Sequence, residues 1–201
     1  GGQPIRAVLH NTLTPADKKR LAYESKQKSY QVGDYYNDGS KEGVVFEIDS
    51  TRRHGKIVSI TQSTEPLAWC SVSEESNQTI GTTEKEDGAL NMRIVQSRPN
   101  WQESYPAFAW CADLGEGWYL PSYNELMAFT LHKETHTSVN NTLKRYGFRP
   151  LFAQEDNYNW CYWSSTEYIH TSNKAWYVEM VGHIYEAQKE RTYCVRAVAK
   201  F

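Results

Sequence analysis

The order of the secondary-structure patterns constrains this chain more than any other feature of its sequence. Runs rich in β-branched and aromatic residues occur up to residue 62 and again after residue 160, and helix signals fill the interval. Strands that alternated with helices would predict a parallel βαβ sheet, whereas grouped strands and grouped helices predict separate layers. We therefore expect an α+β fold, with mixed or antiparallel strands flanked by two or more helices.

The first group of strands contains a hairpin signal. "VVFEID" (44–49) and "KIVSITQ" (56–62) are two strand-like runs separated by the turn residues "STRRHG", and "YQVGDYY" (30–36) precedes them. Residues 1–30 have a different, more polar character. Thr14, Pro15 and Asp17 form an N-cap, N1 and N3 signal for a short charged helix. We therefore divide the chain into an N-terminal extension or linker (1–30), with a helical or extended lead-in, and a folded domain (31–201).

Capping signals place helices in the middle of the chain. Asp87 precedes a helix over 88–98, with Leu90 and Ile94 on one face. Further helices are expected over 105–114, where Phe108 and Cys111 face inward, after the Ser122-x-x-Glu125 capping box, and over 138–147. The C-terminal strands are expected over 160–168, 175–181, 182–188 and 191–201.

Composition excludes two classes of partner. The chain has 22 Lys+Arg and 24 Asp+Glu and no basic stripe, so nucleic-acid binding is not expected. No apolar run approaches the roughly 18 residues of a membrane span. The 7 Trp and 14 Tyr suit either a hydrated binding surface or the core of a strand-rich fold.

Motifs for catalysis or metal binding are incomplete. Ser164 and Ser165 lack the glycines of a nucleophile elbow, so hydroxyls that face each other across strands are the simpler interpretation. His132 and His136 have chelating i, i+4 spacing, but Lys133 stands where a zinc protease has Glu, which favours a solvated helix face. Gln154–Asn159 offers oxygen ligands without the order of an EF-hand loop. No cofactor is predicted, and calcium stays an open alternative.

The four cysteines are Cys70, Cys111, Cys161 and Cys194. Because no CxxC is present, neither a zinc ribbon nor a thioredoxin-like motif is supported. Four cysteines allow three disulfide pairings, and buried free thiols are the alternative. Spacing alone does not decide between these.

Several motifs, in this order, resemble one known family. "DGALNMRIV", "YPAFAWCADLGEGWYLPSYNEL", "YWSSTEY", "AWYVEM" and "CVRAVAKF" are similar to the C-terminal domain family of Legionella collagen-like proteins and to the related Fibrobacter major paralogous domain. The resemblance is strong over 80–201 and loose over 30–80. It implies a C-type-lectin-like fold, shared with formylglycine-generating enzymes and with retroelement-diversified receptors. Similar chains are exported surface proteins or lipoproteins of Bacteroidetes, often behind an adhesin-like domain.

The resemblance also implies where a ligand would bind. A rigid scaffold would present a polar and aromatic C-terminal face to a protein or glycan at the cell surface, and Trp163 and Trp176 would belong to the core. The candidate contact residues are Asn157, Tyr158, Asn159, Tyr162, Tyr168, His170, Asn173, Tyr177, Glu179, His183 and Tyr185. In "AWYVEM", Trp176, Val178 and Met180 alternate with Tyr177 and Glu179, as in a half-buried strand.

C-type-lectin domains commonly join their first main helix to their last strand, which implies a disulfide between Cys111 and Cys194. The Glu-Pro-Asn, Gln-Pro-Asp and Trp-Asn-Asp ligands of calcium-dependent sugar-binding lectins do not occur in their expected places.

Three functional hypotheses follow. The first is a non-catalytic, adhesin-like binding module of a secreted or outer-membrane-anchored protein. The second is an enzyme resembling formylglycine-generating enzymes, which requires a reactive thiol of low pKa. The third is a structural subunit of a surface fibre, in which the domain packs against itself or a neighbour.

Overall fold

The computed structural model describes residues 12–153, 161–180 and 182–201. Within these ranges the chain forms seven helices and three antiparallel sheets, so the predicted α+β class is confirmed. The finer expectation of a C-type-lectin-like arrangement stays a prediction. The helices are α1 (Pro15–Gln27), α2 (Ser73–Ser76), α3 (Gly88–Gln96), α4 (Trp101–Ser104), α5 (Pro106–Asp113), α6 (Tyr123–Thr130) and α7 (Lys133–Arg145).

The strands fall into three sheets. They are β1 (Tyr35–Asn37), β2 (Glu42–Ile48), β3 (Gly55–Ser59), β4 (Leu67–Ala68), β5 (Trp118–Tyr119), β6 (Cys161–Glu167), β7 (Lys174–Glu179), β8 (His183–Gln188), β9 (Thr192–Tyr193) and β10 (Val198–Lys200). The first sheet has the order β1-β2-β3-β10-β5, β4 pairs with β9, and the third sheet has the order β6-β7-β8. The predicted hairpin of β2 and β3 is confirmed.

The helix starts follow the capping chemistry of the sequence. Thr14 and Ser122 each form a complete capping box, with Asp17 and Glu125 as the reciprocal partners. Asp87 caps α3 by accepting the N–H of Ala89 at 3.0 Å. These side chains satisfy backbone donors that have no partner inside the first helical turn.

Burial on α3 differs from the face that the sequence pattern suggested. Met92 and Val95 are buried in the core, whereas Leu90 is 41% exposed. Leu90 and Ile94 therefore share a face, but the face that meets the core is the one through Met92 and Val95.

The C-terminal strand β10 lies inside the first sheet, between β3 and β5. β10 pairs with β3 on one side and with β5 on the other, through Val198↔Val58 and Val198↔Tyr119. Val198 and Val58 are fully buried. This position explains the apolar run "AVA" (197–199), because an interior strand has a neighbour on each side and both of its faces covered.

A buried ion pair fixes the third sheet to the rest of the domain. Glu167, at the end of β6, accepts backbone N–H groups from Ile80, Gly81 and Thr82 at 2.8–3.1 Å. The Lys189 ammonium, just after β8, donates to the same carboxylate at 2.7 Å, and both side chains are at most 1% exposed. The sheet is therefore held at the ends of β6 and β8 by the loop that precedes α3.

Candidate ligand-binding face

Two rows of side chains cross the third sheet. The strand register aligns Cys161, Glu179 and His183 in one row, and Trp163, Tyr177 and Tyr185 in the next. Residues two apart on a strand point to the same face, and direct partners lie side by side, so the two rows share one face. Tyr193 of β9 packs onto the same rings. We call this group the tyrosine face: Cys161, Trp163, Tyr177, Glu179, His183, Tyr185 and Tyr193.

The rings of the tyrosine face form a graded stack from the core to solvent. Trp163 is fully buried, and its ring lies 4.7 Å from that of Tyr193. Tyr193 stacks on Tyr177 with centroids 4.4 Å apart, and Tyr177 contacts Tyr185 at 6.2 Å. Tyr177 is only 9% exposed, whereas Tyr185 is 41% exposed. The inner rings therefore support the outer ones, and Tyr185 is the most accessible tyrosine of the stack.

The hydroxyl groups of Tyr177 and Tyr193 remain protonated near neutral pH. Burial raises the pKa of Tyr177, and its hydroxyl donates to Glu179 Oε1 at 3.0 Å, which raises the pKa further. Burial also raises the pKa of Tyr193. Neutral phenols can both donate and accept hydrogen bonds, so the face offers both to a ligand.

Tyr168 and His170 lie on the opposite side of the sheet. Tyr168 packs edge-on against Trp176 at 5.0 Å and against His170 at 5.2 Å, and Trp176 points away from its neighbour Tyr177. Tyr123 of α6 also packs against Trp176, and the Lys85 ammonium lies 4.7 Å from the Tyr123 ring centre. Trp176, which we expected in the core, is half-buried in this second cluster.

The candidate role of Tyr162 on the surface is wrong. Its side chain is fully buried, and its hydroxyl donates to Gln62 Oε1 at 2.6 Å while accepting the Phe152 N–H at 3.2 Å. Gln62 Oε1 also accepts from the buried guanidinium of Arg196 at 3.3 Å. Tyr162 alternates with Cys161 and Trp163 along β6, so it points away from the tyrosine face into this polar network.

The other candidate residues are distributed as follows. Asn173 is half-buried beside α2, outside the tyrosine face, and its Oδ1 has no hydrogen-bond partner among the described residues. Asn157, Tyr158 and Asn159 lie outside the described residues, as does the oxygen-rich run 154–159. Met180 is 37% exposed at the end of the hairpin. The face therefore retains four candidates: Tyr177, Glu179, His183 and Tyr185.

The disulfide between Cys111 and Cys194 that the resemblance implied is not formed, because all four cysteines are free. Cys111 is fully buried on the core side of α5, and burial raises the pKa of its thiol well above the usual value. The Cys194 sulfur instead faces Gln62 Nε2 at 3.8 Å and the Ser63 carbonyl at 3.9 Å. The Cys161 carbonyl accepts the Cys194 N–H, but the residue directly opposite Cys194 is Tyr162. Because Cys161 and Tyr162 are neighbours on β6, their side chains point to opposite sides of the sheet. The thiols of Cys161 and Cys194 therefore also point to opposite sides.

The hydroxyls of Ser165 and Thr166 bond to residues outside the third sheet rather than to hydroxyls on a neighbouring strand. Ser165 Oγ accepts from Asn91 Nδ2 at 3.0 Å, and Thr166 Oγ1 accepts the Tyr123 N–H at 2.9 Å while donating to the Glu84 carbonyl at 2.8 Å. Ser164, Ser165 and Thr166 are all fully buried. The cross-strand interpretation of these hydroxyls was therefore wrong, and their bonds connect β6 to α3, to the segment before α3 and to the first residue of α6.

The two histidines of "HKETH" have separate structural positions. His132 is the N-cap of α7, and its Nδ1 faces the Thr135 N–H at 3.4 Å. His136 is half-buried against the Phe152 ring, which lowers its pKa, and its Nδ1 lies 3.2 Å from the Phe129 carbonyl. Within the ranges that the structure describes, no group of three or more His, Cys, Asp or Glu side chains is arranged to hold a metal ion.

Sequence reasoning missed two members of the tyrosine face, Cys161 and Tyr193. The alternation of "TYCV" around buried Cys194 was a usable signal, because the neighbour of an inward residue on a strand points outward. The contact of Tyr193 with Tyr177 and Trp163 could not be predicted from the sequence, because β9 is about thirty residues from β6 along the chain.

Comparison with known proteins agrees with the resemblance seen in the sequence. No curated protein matches the chain. Among the residues with a described position, no helix combines the length and apolar character needed to cross a membrane. The family model of the Lcl C-terminal domain matches residues 58–199, which is well over half of the chain and includes the whole tyrosine face. The chain therefore belongs to the Lcl C-terminal domain family.

Proposed function

We propose that the chain is a non-catalytic, adhesin-like module with a C-type-lectin-like fold, which binds a protein or glycan ligand through its tyrosine face. Membership of the Lcl C-terminal domain family suggests a surface or secreted bacterial protein, and anchoring at the outer membrane is part of the proposal. The observation that carries it is the alignment of Trp163, Tyr177 and Tyr185 beside Glu179 and His183 on one sheet face.

Rigid support favours a binding role for this face. An aromatic side chain that is already held in place loses little conformational entropy when a ligand contacts it. Trp163 and Tyr177 hold Tyr193 from below, and the buried pair of Glu167 and Lys189 fixes the sheet to the body. The contact surface is therefore formed before the ligand arrives.

The polar groups around the rings suit a ligand with both donors and acceptors. Glu179 contributes a half-buried carboxylate, and His183 is exposed beside Tyr185, with ring centres 5.7 Å apart. Arg191 is exposed next to Tyr193, and its charge opposes the increase in the pKa of Tyr193 that burial causes. Charges of both signs surround the apolar rings, as is common at the hydrated rim of protein interfaces.

Replacing Tyr185 and Tyr193 together with alanine is expected to weaken ligand binding about 30-fold, which corresponds to the ~2 kcal/mol of a binding hot spot. The measurement is binding of the wild-type domain to arrays of glycans and of secreted protein ectodomains, followed by titration of each bound partner with the variant. Tyr23→Ala is the matched control, since Tyr23 is 68% exposed on α1. Bound partners that survive the double substitution unchanged would count against the face.

The enzyme hypothesis meets an obstacle in the thiols. Burial raises the pKa of Cys70, Cys111 and Cys194, and it raises the pKa of Cys161 to about 12, with further contributions from Glu179 and Cys194. The reactive form of cysteine is the thiolate, so a catalytic cysteine needs a lowered pKa. The physical environment of all four cysteines thus favours the non-catalytic proposal.

Cys161, the most accessible of the four, is therefore expected to resist alkylation. At about pH 8 its thiolate fraction is roughly a thousandfold smaller than that of a thiol with a pKa of 9.0. Labelling with iodoacetamide, followed by peptide mass spectrometry, checks this in native protein and in protein unfolded with guanidinium. Native Cys161 that reacts as fast as unfolded Cys161 would revive the enzyme hypothesis.

A further inference from the structure

The outer edge of β8 is an open sheet edge. β8 pairs with β7 over six consecutive residues without a bulge, from Glu179↔His183 to Lys174↔Gln188. The sheet ends there, since no strand among the described residues pairs with the other side of β8. An open edge offers unpaired backbone N–H and C=O groups to another strand.

The residues that point their backbone groups outward can be identified. The Lys189 N–H donates to the Asn173 carbonyl at 2.8 Å. In an antiparallel pair, residues alternate between bonding to the partner strand and bonding away from it. Odd-numbered residues of β8 therefore bond to β7, and Ile184 and Glu186 present their N–H and C=O groups at the open edge.

Proline, lysine and a bulge, three of the usual protections of an edge strand, are absent from β8. Natural sheets block edges with proline, an outward lysine or a bulge, and 183–188 contains neither proline nor lysine. The lysine that follows, Lys189, has its ammonium turned inward onto Glu167 at 2.7 Å. By contrast, the β6–β7 pair on the other side of the sheet contains an irregularity between Trp163 and Glu167.

We propose that β8 pairs antiparallel with β8 of a second copy of this chain, around a two-fold axis that places Tyr185 opposite its own counterpart. This register sets Ile184 against Glu186 of the second copy and the reverse, so the outward backbone groups of both exchange hydrogen bonds. A register centred on Glu186 would instead oppose two carboxylates, which destabilises a strand pair. A register centred on Ile184 would place Glu186 against the Gly182 turn.

The resulting assembly is a closed dimer with one six-stranded sheet. Because the contact is isologous, it uses the edge of both copies and does not extend into a fibre. The interface is a single strand pair, smaller than that of a stable complex, so association in the micromolar range or weaker is expected. If the tyrosine face binds a ligand as proposed above, the dimer joins two such faces through the Tyr185 pair and makes binding bivalent.

Charge-swap variants test both the dimer and its register without any ligand. Sedimentation velocity of the wild-type chain should show a monomer–dimer equilibrium that shifts with protein concentration. Tyr185→Lys and Tyr185→Glu, at a position that is 41% exposed, should each be monomeric because like charges face each other at the axis. An equal mixture of the two should associate again, at least as strongly as the wild type.

Further variants separate this proposal from a failure to fold. Glu186→Pro removes the outward N–H at a position on an edge strand, where proline is tolerated, so it should abolish the dimer while the circular dichroism spectrum stays unchanged. Tyr23→Lys, on α1, should leave the dimer intact. A wild-type chain that is monomeric up to about millimolar concentration, or a dimer that neither Tyr185 charge variant disrupts, would overturn the proposal. Failure of ligand binding in the array experiment would not affect it.

Discussion

Replacing Arg196 with methionine is expected to lower the free energy of unfolding by about 3–5 kcal/mol, a large fraction of the stability of a domain. The Arg196 guanidinium is fully buried and donates to the carbonyls of Ser59 at 2.7 Å and Arg149 at 2.6 Å, as well as to Gln62. Methionine resembles the unbranched stem of arginine but donates no hydrogen bond, so these buried acceptors lose their partner.

The position of Arg196 explains why the effect should be large. Its acceptors come from the end of β3 and from the segment after α7, so one side chain joins two parts of the chain that are distant in sequence. No carboxylate of the described residues pairs with it, and burial lowers its pKa. The cation is therefore stabilised by oriented neutral acceptors, and a lysine at this position would not reach all of them.

Urea unfolding, followed by fluorescence and circular dichroism, measures this change. Arg93→Met is the matched control, because Arg93 is exposed on α3 and its replacement should cost less than about 0.5 kcal/mol. Arg196→Lys should fall between the wild type and Arg196→Met. A loss below about 1 kcal/mol for Arg196→Met would show that the network is dispensable.

Replacing Glu167 with leucine is expected to destabilise the domain by a similar amount, about 3–5 kcal/mol. The substitution leaves the Lys189 ammonium buried, with the Gln78 carbonyl at 2.7 Å and the face of Trp69 at 4.8 Å as its remaining partners. It also removes the acceptor of the Ile80, Gly81 and Thr82 N–H groups. An unpaired buried charge costs more than the pair itself contributes.

A double-mutant cycle with Glu167→Gln and Lys189→Met tests this explanation. Each single variant leaves one charged group without its partner, whereas the double variant buries an uncharged amide beside an apolar side chain. The double variant should therefore be more stable than the sum of the single losses predicts, by about 1 kcal/mol or more. Strict additivity of the two free-energy changes would contradict a direct coupling between the side chains.

Local chemistry made the helix starts predictable from the sequence. The Ser122-x-x-Glu125 and Thr14–Asp17 boxes form as expected because both partners lie within one helical turn. The hairpin of β2 and β3 was predictable for the same reason, since its turn and both strands are adjacent in the chain. Family membership likewise rested on short motifs whose order is visible in the sequence.

The two faces of β7 were separated correctly, but the burial of two of their side chains was not predicted: Trp176 is only half-buried, and Tyr177 is almost fully buried. Alternation separates Trp176 and Val178 from Tyr177 and Glu179, and the structure keeps these two sets apart. It does not reveal which set meets the core, because both faces of β7 are partly covered. Trp176 packs under Tyr123 of α6, and Tyr177 packs under Tyr193 of β9. Those contacts depend on long-range topology.

The partners of the buried charged groups and of the thiols could not be predicted from the sequence either. Glu, Lys and Arg are residue types that usually lie on the surface. Glu167, Lys189 and Arg196 are buried because the folded chain brings them to their partners. Tyr162 was expected on the surface because the resemblance implies a polar and aromatic C-terminal face, yet its hydroxyl bonds to Gln62 in the interior. The pairing of Cys111 with Cys194 was carried over from other families, and here the two thiols have separate surroundings.

Hydrogen exchange with and without the strongest partner from the array experiment tests the central claim most directly. If the tyrosine face is the binding surface, exchange should slow in β7, in β8 and around Tyr193, while α1 and β1 stay unchanged. Slower exchange confined to α1, β1 or the second aromatic cluster around Trp176, with β7 and β8 unaffected, would contradict it.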